Sequence, residues 1–306
     1  MAGTSAPRAA AALLPGAPGV YRFRDERGRV LYAGRAVDLR RRVGSYWGDL
    51  GDRRHLARMV ARIDRVEAVV CDSEHEAAWL ERNLLEHRLP PWNRTPGGAE
   101  VPAYIDLEPG PAAPGLRVVH EHERSAGGRR FGPYLGGTRV RLAVSGLHRV
   151  LPLPYAGERL GGGEREMART RGVGPGDRAA LVDALTAVLT RDPAAVRRVR
   201  VELARRRDAA AAGLAFELAA RLREELAAVD WVVAEQKATR DEPCDLDVHG
   251  WAAGVLVTFE VRAGRLRAWR QRACAEAAAG PWVAATPAAW VEFARRNAEL
   301  AARLAR

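Results

Sequence analysis

The segment from Gly19 to Trp47 constrains the fold more than any other part of the sequence. Its residues 19–23 and 30–33 have the apolar and aromatic character of two short strands. Between them, RDERG supplies the aspartate and glycine that tight turns use. The DLRRRVGSYW that follows carries apolar residues at helical spacing. The segment therefore predicts an antiparallel hairpin that leads directly into a helix.

The residues after this segment complete a small α+β domain. A helix is predicted around residues 54–63, and VEAVVCD predicts a third strand. Ser73 and Glu76 form the S-x-x-E pattern of a capping box, which begins a helix that runs to about Arg88. The order ββαβα therefore predicts one compact domain over residues 15–95.

Four further regions are expected outside this domain. They are a flexible tail (residues 1–14), a linker with a mixed middle region (96–177), a helical region (178–240), and a β-hairpin with a helix (241–306). Glycine and proline predict a linker of uncertain order from Thr95 to Gly115, followed by the strand-like LRVVHEHE. The polar interval 156–177 precedes the long helices, where Gly213 predicts a turn between antiparallel helices.

The charge of the chain favours a polyanionic partner. The formal net charge is +11, and Lys237 is the only lysine, so nearly all the basic residues are arginine. Nucleic acid is the commonest such partner, because each phosphate that a protein neutralises releases condensed counterions. A genome biased toward alanine, arginine and glycine would produce much of the same excess, so charge alone does not identify the partner.

Cysteine usage and hydropathy predict a cytoplasmic protein that does not enter a membrane. The three cysteines, Cys71, Cys244 and Cys274, have no paired spacing, which argues against a zinc site and a disulfide framework. The apolar run over residues 9–14 is too short for a signal peptide. No apolar run approaches the roughly 20 residues that a membrane span requires.

Two charged residues lie on faces that should be apolar. Glu81 falls within the apolar stripe of its helix, and Arg42 shares a helix face with apolar neighbours. Burying either charge costs free energy unless it is paired. One interpretation is a buried salt bridge between the two, with Tyr21 and Tyr32 as packing residues of the strands. The other is a hydrolytic site with a divalent ion at Glu81, an arginine for phosphate and a phenol beside them. Spacing does not choose between these.

The same residues carry a resemblance to a known family. GVY at residues 19–21 and YAG at residues 32–34, with LRRRVGSY and WLERNLLEHRLPPWN after them, resemble the signature of the GIY-YIG nucleases. Over nearly everything after residue 12, the chain resembles the N-terminal half of the UvrC family of excinucleases, and the shorter relative Cho. FGPY and the segment beginning DLDVHGW contribute to this likeness, and LAFELAARLREEL resembles the UvrB-interacting UVR motif.

The resemblance implies an α+β fold. The chain also departs from the UvrC family in three respects. The expected architecture is a GIY-YIG domain, an antiparallel three-stranded sheet with flanking helices, followed by a mixed region with a UVR-like helical hairpin. Arg35 stands where the family usually has lysine. No cysteine lies between Cys71 and Cys244, so no iron–sulfur cluster is expected. The chain is also expected to lack the RNase H-like and helix-hairpin-helix parts of UvrC.

The resemblance also assigns roles to residues by position. Glu81 would hold a single Mg²⁺ or Mn²⁺, Tyr32 would take the proton of the attacking water, and Arg42 would stabilise the developing charge. The other implied catalytic positions are Tyr21, Tyr46, Asn93, Arg35 and Gly34. The two tyrosines orient water and phosphate, Asn93 fixes the glutamate helix and its closing loop, and Gly34 permits close backbone approach. Implied DNA-binding residues are Arg35, Arg40, Arg41 and Arg42, and implied UvrB-binding residues are Leu214, Phe216, Glu217, Leu218 and Arg221.

The function implied by the resemblance is a metal-dependent endonuclease on double-stranded DNA that makes the 3′-side cut of nucleotide excision repair. Two other functions stay open. One is a non-cutting adaptor that binds UvrB or damaged DNA. The other is a nuclease that acts without UvrB on branched or foreign DNA.

Overall fold

The computed structural model describes residues 5–48, 56–95, 101–120, 128–240 and 243–305. It forms two compact units. The first unit combines Met1–Ala99 with Glu235–Arg306, and the second is Glu100–Ala234. The predicted regions are thus grouped differently from their order in the sequence, because residues 241–306 join the N-terminal domain.

The N-terminal part of the first unit is a three-stranded antiparallel sheet with helices around it, which confirms the predicted α+β fold. The strand order is β2–β1–β3. The elements are α1 (Ser5–Ala12), β1 (Gly19–Arg24), β2 (Val30–Ala36), α2 (Leu39–Gly44), α3 (Ala57–Val60), β3 (Arg65–Val70) and α4 (Glu74–His87). In the hairpin register, Tyr21 of β1 lies opposite Gly34 of β2.

Two expectations for this part need correction. The first residues were expected to form a flexible tail, but residues 5–12 form α1, and the side chains of Ala11 and Leu14 are buried in the core beside the sheet. Burial of this short apolar run is what orders it. The helix expected over residues 54–63 is limited to α3 within the described residues, and residues 54 and 55 lie outside them.

The second unit contains a three-stranded antiparallel sheet and a set of helices. The sheet order is β5–β4–β6. The elements are β4 (Pro102–Glu108), β5 (Gly115–His120), β6 (Arg129–Leu135), α5 (Gly137–Val150), α6 (Gly162–Arg171), α7 (Arg178–Leu189), α8 (Pro193–Ala212) and α9 (Phe216–Val233). The predicted turn at Gly213 is present, since α8 ends there and α9 follows as its hairpin partner.

The second unit is more ordered than the sequence suggested. The central strand β4 lies within the stretch that was expected to be a linker, because Ala103, Ile105 and Leu107 alternate into the core. The glycine-rich interval before the long helices contains α6. Residues 96–100 of the predicted linker and residues 121–123 of the predicted strand lie outside the described residues.

The C-terminal part of the first unit is a second three-stranded sheet, in the order β7–β8–β9, with two helices. Its elements are β7 (Leu246–Ala252), β8 (Val255–Arg262), β9 (Arg265–Ala273), α10 (Glu276–Ala284) and α11 (Ala288–Leu304). The sequence predicted only a hairpin here. Both turns carry a glycine at positive φ, Gly254 and Gly264, so two tight connections produce three strands rather than two.

Buried polar contacts join the two parts of the first unit. The Arg22 guanidinium of β1 stacks 3.8 Å above the Trp269 ring of β9 and donates to the Trp269 carbonyl over 2.9 Å. It also pairs with Glu67 of β3. Burial lowers the pKa of Arg22 to about 10, and the facing carboxylate opposes that shift. The buried charges of Arg22 and Glu67 therefore both have partners inside the protein.

None of the described helices combines the length and the apolar character that crossing a bilayer would need.

We expect Gly250→Ala to destabilise the first unit. A Cβ at this position of β7 would lie 2.1 Å from the Ala294 carbonyl oxygen of α11, so a helix must move to admit it. Overpacking of this kind costs about 1–3 kcal/mol in the free energy of unfolding. Urea denaturation followed by circular dichroism measures the change. Gly44→Ala in α2 is the control, because its backbone is helical and a Cβ there meets no heavy atom within 4 Å beyond its chain neighbours and its own helix backbone, and it should stabilise by up to about 1 kcal/mol. Equal midpoints for the two variants would contradict the packing argument.

Candidate active site

Three tyrosines from different elements converge on one face of the first sheet. The hydroxyl oxygens of Tyr21 and Tyr46 lie 2.8 Å apart, and Tyr46 also hydrogen-bonds Tyr32. The centroids of the Tyr21 and Tyr32 rings are 6.2 Å apart, and those of Tyr32 and Tyr46 are also 6.2 Å apart. Tyr21 and Tyr46 are buried and Tyr32 is half-buried. The least buried phenol of the cluster is thus the one expected to react.

Gly34 allows the cluster to pack this closely. A Cβ on Gly34 would lie 2.8 Å from the Tyr21 hydroxyl oxygen and 2.8 Å from a ring carbon of Tyr32. Non-bonded carbon atoms in proteins are usually about 3.5–4.0 Å from their neighbours, so both distances are too short for a Cβ. The absent side chain therefore makes room for two phenols.

Arg42 lies against the tyrosines from α2. Its Nε donates to the Tyr21 hydroxyl over 3.4 Å, and its guanidinium lies 5.7 Å from the centroid of the Tyr46 ring. Asp38 caps α2 by accepting from the Arg41 amide over 2.8 Å, which fixes where the helix begins. The buried Arg42–Glu81 salt bridge, one of the two interpretations from sequence, is not what the structure shows: Arg42 contacts phenols instead.

Glu81 of α4 contacts Arg35, the residue that follows Gly34. Its Oε1 accepts from the Arg35 amide over 3.1 Å, and its Oε2 lies 3.5 Å from Nε of the Arg35 guanidinium. The Glu81 side chain is 23% exposed and that of Arg35 is 42% exposed. The carboxylate also acts electrostatically on Tyr32. Glu81, Arg35 and Tyr32 therefore share one partly solvated site.

Asn93 holds β2 at the position between Tyr32 and Gly34. Its Oδ1 accepts from the Ala33 amide over 2.9 Å, and its Nδ2 donates to the Ala33 carbonyl over 2.7 Å. The sequence predicted that Asn93 fixes the glutamate helix and its closing loop. Its two bonds tie the segment after α4 to the strand that carries Tyr32.

The tyrosine hydroxyls are strongly biased toward the neutral form. Burial raises the pKa of Tyr32 well above its ordinary value, and the neighbouring Tyr46 and Glu81 raise it further. Burial raises the pKa of Tyr21 in the same direction. Arg42 lowers both, but by less. Formation of a phenolate at this site therefore needs positive charge beyond that of Arg42.

The donor set suits a hydrated cation rather than a protein cage. Across the described ranges, no group of three or more histidine, cysteine, aspartate or glutamate side chains is placed to hold a metal ion. Mg²⁺ usually binds through one or two carboxylates together with water and substrate phosphates. A half-buried Glu81, oriented by a backbone amide, fits that pattern.

The other predicted DNA-binding arginines lie on the exposed side of α2. Arg41 is exposed, and Arg40 is exposed while its Nε donates to the Leu14 carbonyl over 2.7 Å. Arg40 thus also braces the turn after α1, a role that the sequence did not indicate.

The residues predicted to bind UvrB lie at the tip of the α8–α9 hairpin. The side chains of Leu214, Phe216 and Leu218 are 73%, 66% and 43% exposed. Glu217 is exposed, whereas Arg221 pairs with the buried Glu225 over 3.1 Å. Apolar exposure of this extent at a tight helical turn is unusual for a surface that stays in water.

Sequence reasoning missed Asn297. From α11 its Oδ1 accepts from the Val70 amide over 2.7 Å, and its Nδ2 donates to the Val70 carbonyl over 3.1 Å, so it caps the outer edge of β3. A signal was present, because Asn297 interrupts an apolar stripe with Phe293 and Leu300 at helical spacing.

Comparisons with known proteins agree with this geometry. Residues 17–94 match the model of the UvrC-like GIY-YIG domain. UvrABC system protein C of Syntrophotalea carbinolica is 33% identical over 78% of this chain and 40% of its own length. The Corynebacterium aurimucosum protein of the same name is 31% identical over 88% of this chain and 42% of its own length. The chain thus spans about two fifths of the length of these curated relatives.

Among solved structures, the GIY-YIG N-terminal endonuclease domain of UvrC from Thermotoga maritima, bound to magnesium as its catalytic divalent cation, is 32% identical. The match covers 29% of this chain and 98% of that chain, with a TM-score of 0.27. Residues 17–94 therefore belong to the UvrC-like GIY-YIG domain family, and the identity to UvrABC system protein C extends over most of this chain.

Proposed function

We propose that this chain is a cytoplasmic, metal-dependent DNA endonuclease that makes the 3′-side incision of nucleotide excision repair. The observation that carries the proposal is the convergence of Tyr32, Arg42 and Glu81 around Gly34, in a site that is partly open to solvent. A phenol, a guanidinium and a carboxylate are the groups needed to move a proton, stabilise phosphate charge and hold a cation.

The cation would be Mg²⁺ or Mn²⁺, held by Glu81, by analogy with the magnesium of the Thermotoga maritima domain. When bound, it would stabilise negative charge on the leaving 3′ oxygen. Arg35, through its amide, keeps the Glu81 carboxylate turned toward β2. A carboxylate fixed in this way needs little reorganisation to accept a cation.

Arg42 would stabilise the charge that develops on the phosphate oxygens. Its guanidinium is half-buried among the phenols, where water screens its field less than at the surface. Exposed Arg40 and Arg41 on the same helix would contact the DNA backbone.

Tyr32 would take the proton of the attacking water. Only the phenolate can do so, and burial disfavours that form. Tyr46 and Tyr21 form a hydrogen-bonded chain that ends at Arg42, which positions the Tyr32 hydroxyl and connects it to positive charge. The reactive fraction of Tyr32 would therefore rise with pH.

A second proposal concerns a protein partner. The exposed apolar residues at the α8–α9 tip favour docking of UvrB there, with the apolar side chains as anchors and Glu217 at the rim. Arg221 contributes less directly, because its guanidinium is already paired with Glu225.

We expect Glu81→Gln to lower the rate of DNA cutting in Mg²⁺ by at least about a hundredfold, since the variant loses the charge that holds the cation. The assay is incision of an end-labelled, lesion-bearing duplex with and without UvrB. Glu86→Gln, on the same helix but paired with Arg82, is the control and should cut normally. Undiminished cutting by Glu81→Gln would remove Glu81 from the mechanism. A wild-type protein that binds UvrB or DNA but never cuts would be an adaptor, and cutting without UvrB would identify an independent nuclease.

The pH profile tests Tyr32. Because the pKa of Tyr32 lies above its ordinary value of about 10, the logarithm of the single-turnover rate should rise with a slope near one between about pH 6 and 9. Tyr32→Phe should cut far more slowly and lose this slope. Tyr155→Phe, in the second unit, should keep the wild-type profile. A flat wild-type profile, with binding saturated, would show that no phenol is deprotonated in the rate-limiting step.

Phe216→Asp should weaken binding of purified UvrB at least tenfold, because it places a charge in the apolar tip. Isothermal titration calorimetry measures the affinity. Val201→Asp is matched to it, since Val201 of α8 is 62% exposed but lies away from the tip. Equal losses in both variants, or none in either, would place the UvrB site elsewhere.

A further inference from the structure

Arg35 contacts Glu81 in two chemically different ways. Its neutral backbone amide donates to Oε1 over 3.1 Å, while its charged guanidinium lies 3.5 Å from Oε2. One contact orients the carboxylate and the other neutralises it. They respond differently when a cation arrives, because only the guanidinium carries a charge that a cation repels.

We infer that the Arg35 guanidinium competes with the divalent cation for the Glu81 carboxylate, so that binding of the cation displaces the Arg35 side chain. The inference rests on the proposed role of Glu81 as the metal ligand. Arg35 is then a positioning residue with two states: paired with Glu81 in the absence of metal, and turned from Oε2 toward another anion once metal is bound.

The exposure of the pair makes the exchange feasible. The Arg35 side chain is 42% exposed, so its guanidinium can leave Oε2 for water without breaking a packed core. The Arg35 amide belongs to β2, and Asn93 anchors β2 at Ala33. The contact between this amide and Glu81 therefore stays in place when the Arg35 side chain moves. The carboxylate therefore keeps its orientation in both states.

Linkage sets what the competition does to affinity. Two ligands that exclude each other from one site weaken each other by the same factor. Partly exposed ion pairs are weak, so the expected factor is small, about two- to fivefold. It should shrink as the ionic strength rises, because salt screens the guanidinium–carboxylate attraction.

The first measurement is the Mn²⁺ dissociation constant of the full chain without DNA, from the electron paramagnetic resonance signal of free Mn²⁺. Arg35→Ala keeps the backbone amide and removes the guanidinium, so Mn²⁺ should bind about two- to fivefold more tightly than to Arg41→Ala. Arg41→Ala removes an equal charge from an exposed position of α2. It keeps the Arg41 backbone amide, which donates to Asp38. Equal constants for the two arginine variants, with Glu81→Gln still weakening Mn²⁺ binding, would overturn the competition but keep the proposed metal site. Unchanged binding by Glu81→Gln would overturn both.

Displacement itself is visible by NMR. The ¹⁵N-labelled Arg35 Nε–H signal, identified by its loss in Arg35→Lys, should move toward the position of solvent-exposed arginines as Mg²⁺ is added. The change should follow the same saturation curve as Mg²⁺ binding. An Arg35 signal that stays unchanged at saturating Mg²⁺ would overturn the inference, even if Arg35→Ala binds Mn²⁺ more tightly.

Discussion

Two side-chain amides terminate the first sheet, and the site depends on one of them. Asn93 bonds the amide and the carbonyl of Ala33 at the β2 edge, as a neighbouring strand would. Asn297 does the same for Val70 at the β3 edge. Unpaired strand edges are places where sheets add further strands. These amides satisfy one position on each outer strand, at Ala33 and at Val70, without a fourth strand.

Holding Ala33 in this way also fixes the groups proposed to react. Ala33 lies between Tyr32 and Gly34, so holding its peptide groups sets the direction of the phenol and the position of the glycine. The same strand then presents the Arg35 amide to Glu81. Tyrosine, glycine and carboxylate are thus positioned by consecutive residues of one strand, and a small error in its register would misplace all three.

Local chemistry made the first domain predictable. Strand alternation, the turn in RDERG and the cap at Ser73 each act over a few residues, and β1, β2 and α4 form where those signals lie. The clustering of Tyr21, Tyr32, Arg42, Tyr46 and Glu81 came from the family likeness, since helical spacing left a salt bridge as an equal choice. The contacts that decided against the salt bridge, Arg42 with Tyr21 and Glu81 with Arg35, join different elements and leave no local trace. Asn297 bonds Val70, which lies 227 positions earlier in the sequence. The periodicity of α11 marks Asn297 as unusual but does not identify its partner.

The first unit is assembled from two stretches of chain, and this matters while the protein is being made. Val70 is synthesised long before Asn297, with the whole of residues 100–234 between them. At about 5–20 residues per second, the delay is on the order of ten to forty seconds. Throughout that time, the Val70 amide and carbonyl at the β3 edge lack the side chain that later covers them. Until α11 has been synthesised, the Val70 position of this edge strand can pair with another chain, and packing of α11, rather than folding of the N-terminal domain, closes that route.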